Sequence, residues 1–553
     1  MAQQIQVVGT PTRGHWSSRV WPRLLPELAE RIVGFLDRNE IAATFRHVNK
    51  ATVKQFSGPL HTTIHISEPA PPHAFAAHWL APGATRDLTL ERRKELVRLV
   101  AASGVLPNLE VALQAAALVG AVEQAFKEAA GAGQLSLCQW LWDHSRSHPE
   151  GFHATISARD ALEAAAGGGH RHVCEWLLAV HQVVKRGDGA ATSAAYHGGH
   201  AELAEWLLQP DPALSIGAKT KCLSDVAHGC SLPALQRAWQ RFRGPSLGKY
   251  ENAVVLSVAA ASPTPDWTAK IEWLEAQGCR STSMAAVAAA GMPNDAEALA
   301  RLTWLQGRGY PIGDQAVEAA ARAGNMSALA HLLSEVPVAD EEGSAEAVSG
   351  ATEGGHLEAL QALQAAGWTI DFPRFATAAA QAGHLHVLAW MLEAEPVALD
   401  EVLFGAAAQS GSVELLAWLR ERGCSWDATA YQHAARSGCV AALEWLAERG
   451  CPMEEDGESY IKASCNGDLA VAHCLRRLGA PWGPPGRVFL VISRRLSAWT
   501  AVRPMLRWLL QEGCPVEYKV VEEGLADWHS PQSPQVVEGL RMLREHLGTR
   551  QPA

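Results

Sequence analysis

One short pattern recurs along most of this 553-residue chain: a run of small residues, a glycine, an apolar-periodic stretch and then Trp-Leu or Trp-Met. It is clearest over 375–392, FATAAAQAGHLHVLAWML, and returns over 161–178, 192–208, 404–419 and 431–446. Self-similarity of this kind is typical of repeat proteins, in which one unit cannot bury its apolar face without its neighbours. The pattern therefore predicts an elongated stack of units, because a chain of this length exceeds what one compact core accommodates.

A central glycine marks each unit and allows the units to be counted. From Gly324 onward the successive glycines are separated by 31, 28, 28, 27 and 29 residues. The pattern is disturbed between Gly229 and Gly324, where Trp273 and Trp304 mark two further units, and Trp508 and the segment 536–547 mark the last ones. We expect about fifteen units over residues 95–548. The central glycines are Gly104, Gly133, Gly169, Gly199, Gly229, Gly324, Gly355, Gly383, Gly411, Gly438 and Gly467.

Each unit is predicted to be two short antiparallel helices. The Ala-rich first helix lets neighbouring backbones approach, and the glycine supplies a permissive turn. The second helix carries leucines at spacings of three and four and ends at a glycine such as Gly423 or Gly450, which fits a left-handed cap. A tryptophan seven residues after the central glycine is expected to pack in the core against the next unit; an aromatic ligand platform is the alternative. These tryptophans are Trp140, Trp176, Trp206, Trp390, Trp418 and Trp445.

The unit resembles an ankyrin repeat, most clearly over 379–392. The resemblance lies in the order of its motifs: small residues, Gly-His-Leu, Trp-Leu and a closing Gly-Cys-Pro. The units lack the Thr-Pro-Leu-His that opens a full ankyrin repeat, and they are shorter than its 33 residues. Only eleven positions lead from Gly423 to Ala434, so the β-hairpin finger of that family is expected to be a tight loop. The resemblance implies an all-α fold: an ankyrin-type α-solenoid of about fifteen short helix-turn-helix repeats.

Residues 21–60 are not a repeat and predict a helical module. A helix that opens at Leu25-Pro26, with Leu28, Ile32, Phe35 and Leu36 on its apolar face, breaks at 37–39 and is followed by a second helix. The module resembles an F-box, which implies docking on the Skp-type adaptor of a cullin ubiquitin ligase. By position in the motif, the adaptor-binding residues would be Leu25, Pro26, Ile32 and Leu36.

This module also departs from the F-box pattern. Pro26 and Glu27 are adjacent where F-boxes place a residue between them, and Asn49 and Thr52 replace a frequent Cys and Trp. The alternative is a helical hairpin that caps the array. Around the module we expect a flexible N-terminus over 1–20, a linker with capping helices and a short strand (61–66) over 61–94, and a tail over 549–553.

The formal net charge of −11 argues against a nucleic-acid backbone or an anionic membrane as the main partner, although 92–94 (Arg-Arg-Lys) offers a local basic patch. No apolar run is long enough for a membrane span, and the polar segment 1–19 leads us to expect no secretory signal. The eleven cysteines include no Cys-x-x-Cys pair and predict reduced thiols. We expect a monomeric protein in the cytoplasm, with a nuclear location left open.

Enzyme signatures are weak throughout the sequence. The grouping of His170, His172 and Cys174 lacks the further ligands that zinc requires, and Ser246 in a Gly-x-Ser-x-Gly string follows no predicted strand. The acidic runs 340–342 and 454–456 are interpreted as solvated loop charge. We therefore expect no catalytic residue, no metal and no cofactor. A sphingomyelin phosphodiesterase-related protein is the alternative from another class.

Binding is the better hypothesis, because solenoids expose a long concave surface. The position two residues before the central glycine varies among polar side chains on a scaffold that otherwise stays small, so we expect it to contact a protein target. The working hypothesis is the substrate receptor of a cullin-type ubiquitin ligase; the alternative is an ankyrin scaffold without that link. The candidate partner-binding residues are His197, Arg322, Glu353, Gln381, Gln409 and Arg436.

Overall fold

The computed structural model describes residues 26–48, 50–147, 157–180, 189–208, 215–242, 248–494, 499–527 and 534–548. All regular secondary structure in these residues is helical, and the one β-type contact is an isolated antiparallel bridge between Leu118 and Asp468. No helix among them is long and apolar enough to cross a membrane. The chain is an all-helical repeat solenoid, as the repeat pattern predicted.

Fifteen antiparallel helix pairs follow one another in the described part of the chain, and they are numbered as units 1–15 in chain order. In each unit the first helix precedes the central turn and the second helix follows it. The pairs are Leu90–Ser103 with Leu106–Ala116, Ala121–Gly131 with Leu135–Ser147, Ala158–Gly167 with Arg171–Val180, Gly189–His197 with Ala201–Leu207, Ile216–Gly229 with Leu232–Phe242, Lys249–Ala260 with Trp267–Ala276, Ser283–Ala290 with Asp295–Gly307, Asp314–Ala323 with Met326–Glu335, Glu341–Gly354 with Leu357–Ala365, Phe372–Ala382 with Leu385–Ala394, Glu401–Ser410 with Val413–Glu421, Thr429–Ser437 with Val440–Glu448, Glu458–Cys465 with Leu469–Arg477, Arg487–Ser493 with Trp499–Gln511, and Tyr518–Ala526 with Pro534–Gly548.

The central glycine is required both for the turn and for contact with the next unit. Gly355 has a φ of 71°, in the left-handed region that favours glycine. A Cβ on Gly355 would also come within 2.6 Å of the imidazole of His384 in the next unit. Nε2 of His384 lies 2.9 Å from the carbonyl oxygen of Glu353, a hydrogen bond between units. The histidine after the central glycine of unit 10 therefore joins that unit to the glycine turn of unit 9.

The core of the stack is formed by alanine and leucine, and the prediction that tryptophan belongs to it is only partly right. Leu177 and Leu419, each directly after a repeat tryptophan, are fully buried. Trp176 and Trp418 are half-buried. The Trp176 ring contacts Phe126 of the preceding unit at 6.3 Å between centroids, so these indoles border the core and also face solvent.

The first helices of successive units pack along much of their length, whereas the second helices of neighbouring units contact each other less. This difference curves the stack and places the first helices on its concave side. The small side chains of the first helices permit the close approach: Ala165, Ala320 and Ala379, for example, are fully buried. The concave surface is therefore formed by the exposed positions of the first helices.

Before the solenoid, three short helices form the N-terminal module: Pro26–Val33, Arg38–Ala43 and Lys50–Gln55, with 3₁₀ turns at Phe45–His47 and Pro59–His61. Its core contains Val33, Ile41 and Phe56. The second helix begins inside the break expected at 37–39. A further helix, Pro72–Trp79, leads into unit 1, which begins at Leu90.

The strand expected over 61–66 is absent, and Asn39 explains why. Its side chain is fully buried and donates to the carbonyl of His65 at 2.7 Å, while the His65 amide donates back to Asn39 Oδ1 at 2.8 Å. One side-chain amide thus satisfies backbone groups that would otherwise need a neighbouring strand. The segment is held to the module in an irregular conformation.

Candidate binding surface

The beginning of the solenoid contacts a part of the chain more than 300 residues away. The Val119 amide donates to the Gly467 carbonyl at 2.8 Å, and the Leu469 amide donates to the Ala117 carbonyl at 3.1 Å. The Ala441 amide donates to the Arg86 carbonyl in the same way at 3.0 Å. Units 11–13 therefore lie against unit 1, and the solenoid completes one superhelical turn. We call this contact the seam, formed by residues 86–119 on one side and 411–471 on the other.

Arg93 lies at the centre of the seam. Its side chain is only 1% exposed, and that of Asp468 is fully buried. The guanidinium binds both Asp468 carboxylate oxygens, with Nη1 at 3.0 Å from Oδ1, and it donates to the carbonyls of Ala116 and Gly438 at 2.8 Å. Such bidentate, charge-assisted bonds are the strong ones. The basic patch expected at 92–94 is thus wrong for Arg93, which is buried as the ion-pair partner of Asp468.

Asp468 has a second role, because it also caps a helix. Its Oδ1 accepts the Val471 amide at 3.0 Å, at the first turn of the second helix of unit 13. The same carboxylate therefore caps its own helix and binds Arg93 from unit 1. At the edge of the seam, Glu444 forms ion pairs with both Arg86 and Arg477.

The backbones on the two sides of the seam approach closely. A Cβ on Gly438 would lie 2.5 Å from the Leu90 amide nitrogen, and one on Gly411 would lie 2.9 Å from the Thr89 side chain. Ala117, whose carbonyl accepts the Leu469 amide, is the one non-glycine residue with a positive φ in the described ranges, at 49°. These positions hold small residues because larger ones would separate the two sides.

The predicted partner-binding residues lie on the first helices and hence along the concave surface. The structure distributes them over several units and does not gather them at one point. Five of the six are exposed, and Gln409 is half-buried. The exposed ones are His197, Arg322, Glu353, Gln381 and Arg436.

Two of these positions bind each other. Arg322 forms ion pairs with Glu353 of the next unit at 3.1 Å and with Glu318 at 3.0 Å. These neighbours raise the pKa of Arg322. His197 stacks on His228 at 4.3 Å between ring centroids. Part of the concave surface is therefore already organised by pairs between units.

Ser193, His197 and Asp225 form a cluster that resembles a nucleophilic triad in composition only. The Ser193 hydroxyl donates directly to the Asp225 carboxylate, and Nδ1 of His197 lies 3.2 Å from the other carboxylate oxygen. A serine nucleophile needs a base that accepts its proton, and here the imidazole is not placed between the two. The cluster joins units 4 and 5.

The groups considered for metal and nucleophilic chemistry also have places in the structure. Nε2 of His172 lies 3.1 Å from the Gly133 carbonyl oxygen, an inter-unit contact like that of His384. Within the described ranges, no group of three or more His, Cys, Asp or Glu side chains is arranged to hold a metal ion. None of the eleven cysteines, all of which are described, forms a disulfide. Ser246 lies outside the described residues.

The four residues expected to bind an adaptor are only partly described. Leu25 lies outside the described residues. Pro26 and Ile32 belong to the helix Pro26–Val33, but the structure does not describe their side chains. Leu36 is half-buried and packs against the core of the module. Phe35, which the sequence placed on the same apolar face, is 87% exposed.

The acidic runs are not simply solvated charge. Asp340 caps the first helix of unit 9 by accepting the Gly343 amide at 3.0 Å. Glu454 is half-buried and accepts a hydrogen bond from the Ser459 hydroxyl at 3.0 Å. Burial raises the pKa of Glu454 to about 7, with a smaller contribution from neighbouring carboxylates. The interpretation as loop charge is therefore wrong for Glu454.

No protein-family model matches the chain, and no curated protein matches it by sequence. Similar solved structures include the pentatricopeptide repeat protein PPR10 from maize, at 12% identity and a TM-score of 0.22, over 96% of this chain and 100% of that one. The same protein in complex with an 18-nt psaJ RNA element matches at 12% identity and a TM-score of 0.25, over 87% and 85% of the two chains. A cysteine-to-serine variant of that protein in complex with the same RNA element gives the same values.

These matches correct one expectation from the sequence. Net charge was taken to exclude nucleic acid as a partner, yet two of the matched helical-repeat structures hold RNA. Because binding depends on the local distribution of charge, a negative total charge does not by itself exclude a nucleic-acid partner.

We expect Arg93→Met to destabilise the protein by about 3–5 kcal/mol, because it leaves Asp468 charged and buried without its partner. Urea unfolding measures this loss. Arg98→Met is the matched control, since Arg98 lies on the same helix in an exposed ion pair with Glu95 and should change stability by less than about 1 kcal/mol. The double variant Arg93→Met/Asp468→Leu should be less destabilised than Arg93→Met. An Arg93→Met loss no larger than that of the control would contradict the role of the ion pair.

Glu454→Gln should change how stability depends on pH. The folded-state pKa of Glu454 is raised to about 7 from 4.5, so between these values the folded protein binds a proton that the unfolded chain does not. That contribution is complete below pH 4.5 and is lost as the pH rises through 7. Glu454→Gln should therefore be more stable than the wild type at about pH 8, with the advantage shrinking towards about pH 5. Thermal unfolding over this range checks the sign, and an advantage that grows as the pH falls would refute the assignment.

Proposed function

We propose that this chain is a non-catalytic scaffold of short ankyrin-type repeats that binds a protein partner on its concave surface. The observation that carries the proposal is a row of polar side chains on the first helices of six units, five of them exposed, that vary between His, Arg, Glu and Gln while the alanines beside them are buried. A constant scaffold with variable exposed positions is suited to recognition. A cytoplasmic location is part of the same proposal.

The ankyrin-type assignment is supported by the form of the unit. Two short helices meet at a glycine turn, and the second helix of several units ends at another glycine with positive φ, such as Gly423 and Gly450. The next first helix follows after a short connection without a β-hairpin, as between Glu421 and Thr429. Where full ankyrin repeats have a β-hairpin finger, these units have a tight loop, which suits their shorter repeat length.

The seam supports the choice of the concave surface. Because units 1 and 13 are held together, the concave positions of the intervening units have a fixed arrangement before a partner arrives. Preorganisation of this kind reduces the entropy lost on binding. A partner contacting several units at once would then gain affinity from the sum of modest contacts.

Affinity purification of the full chain tests the proposal. We expect Gln381→Arg and Arg436→Glu together to reduce capture of the partner at least tenfold, because both side chains are exposed on the concave surface. Glu448→Arg is the control, since Glu448 is exposed at the end of a second helix on the other side. Capture should survive nuclease treatment. Capture that depends on RNA, or that is insensitive to the two concave substitutions, would overturn the proposal.

We also propose that the N-terminal module links the scaffold to a cullin-type ubiquitin ligase through a Skp-type adaptor. The observation that favours this second role is a set of apolar side chains that the described chain leaves uncovered on this small module. Unburied aromatic and aliphatic groups on a module of this size mark an interaction surface. Its most exposed members are Leu28 (46%), Phe35 (87%), Val48 (51%) and Leu60 (73%).

Phe35→Asp in the full chain should abolish retention of a Skp-type adaptor in a pull-down, without changing the unfolding temperature. The substitution is expected to be structurally neutral because Phe35 is exposed. Gln381→Arg, far along the solenoid, is the control and should leave adaptor retention intact. If the wild-type chain retains no adaptor, the ligase role is wrong and the module serves as the cap of the array.

A further inference from the structure

Units 6 and 7 carry apolar side chains where their neighbours carry polar ones on the concave surface. The concave positions of unit 8 are Gln315, Ala319 and Arg322, which share one face of the helix because they are spaced by four and three residues. Arg322 directly follows two buried alanines. The buried alanine pairs 259–260 and 289–290 place the corresponding positions of units 6 and 7 in the same way. We define the apolar patch as four of these side chains: Val254, Val258, Met284 and Ala288.

The apolar patch is not part of the core that joins the units. Its four side chains are half-buried, and in the described part of the chain none of them packs against the buried core. At the positions of Val254 and Met284, unit 8 has Gln315 and unit 9 has Glu346. Apolar side chains without a core role on an otherwise polar surface mark an interaction site.

The first helices of units 8 and 9 make the surface beside the apolar patch acidic. The helices Asp314–Ala323 and Glu341–Gly354 together contain six carboxylates and a single basic residue, Arg322. On the other side of the patch, the first helices of units 4 and 5 contain two lysines and one carboxylate. The sign of the charge therefore changes along the concave surface, and a cationic group is favoured at units 8 and 9.

The closed turn limits the size of a guest, because unit 1 lies against units 11–13 across the seam. Neighbouring helices pack about 8–10 Å apart, so a turn of about eleven units places the axes of the first helices on a circle about 30 Å across. The helices themselves are about 10 Å wide, which leaves a channel of about 20 Å. A folded domain of about 100 residues has a radius of gyration of about 13 Å and is too wide for this channel, whereas a single helix fits.

We propose that the concave channel binds one amphipathic helix of the partner, with its apolar face on the apolar patch and basic side chains beside that face towards units 8 and 9. This proposal rests on the proposed function and names the kind of segment that the scaffold recognises. An apolar helix face covers the patch, and its basic neighbours meet the carboxylates of the two acidic first helices.

A helix suits the channel better than an extended peptide does. All regular secondary structure in the described ranges is helical, so this part of the chain offers no strand edge to which an extended peptide could add. An extended guest would therefore leave its backbone amides and carbonyls unpaired against the apolar patch. A helix pairs its own backbone groups and presents only side chains to the wall.

Selection from a phage-displayed library of random linear peptides of about 16 residues, on the immobilised full chain, tests the proposal. We expect the selected peptides to carry net positive charge and to have apolar residues at spacings of three and four. Fluorescence polarisation then measures their affinity. Val254→Glu/Met284→Glu should weaken binding at least about tenfold, because it places two charges under the apolar face of the guest.

Two further variants separate binding from folding. Ala300→Glu is the matched control, since Ala300 is exposed on the second helix of unit 7, and it should leave peptide binding unchanged. Glu346→Lys alters an exposed side chain of unit 9, so it should preserve the unfolding temperature. It should nevertheless weaken binding of the same basic peptides, by a smaller factor at high salt than at low salt. This variant decides the matter if Val254→Glu/Met284→Glu proves to be less stable.

The proposal is overturned if the library yields no binding peptide, if the selected peptides lack the helical spacing of apolar residues, or if Glu346→Lys binds them as tightly as the wild type does. The scaffold function fails in a different way. If the peptides behave as described but affinity purification captures no protein, the channel assignment is right and the scaffold function is wrong. If a protein is captured and Val254→Glu/Met284→Glu captures it equally well, the scaffold function stands and the channel assignment is wrong.

Discussion

The ion pair between Arg93 and Asp468 is the interaction on which the architecture depends. In a linear solenoid each unit contacts only its neighbours, and stability is a sum of local terms. Here one guanidinium connects unit 1 to unit 13, across 375 positions of sequence, and it also binds two backbone carbonyls. Removing two charges from water is costly, so the pair is favourable only because its geometry satisfies nearly all of their hydrogen-bonding groups. The seam converts a stack of units into one closed turn.

Closure has consequences for binding. An open stack can bend, and a partner that needs several units must then arrange them as it binds. With units 1 and 13 joined, the concave positions of units 1–13 are fixed relative to one another. The ion pair and the concave side chains therefore belong to one arrangement, in which the fold supplies rigidity and the exposed positions supply specificity.

The sequence predicted the units well because the forces that define a unit are local. A glycine turn, a helix cap and a leucine stripe each depend on residues within one period, so the number of helix pairs followed directly. It was harder to predict which side chain of each Trp-Leu pair is buried. Trp418 was expected in the core, but the fully buried residue is Leu419. Likewise, the sequence around Asn39 does not indicate that this side chain is buried and holds an irregular segment in place.

The seam could not be predicted, since it depends on the small rotation between units summed over a full turn. Arg93 was expected to be part of a basic patch at 92–94, and the sequence suggested no role for Asp468. Only the accumulated curvature brings the two together.

Hydrogen exchange measured by mass spectrometry tests the closure of the turn most directly. The amides of Val119, Ala441 and Leu469 donate hydrogen bonds across the seam, so in the wild type their peptides should exchange slowly. Arg93→Met should accelerate exchange on both sides of the seam together, while peptides from the middle units, such as 375–392, keep their protection. Rapid exchange of the three amides in the wild type, or no change in Arg93→Met, would contradict a closed turn.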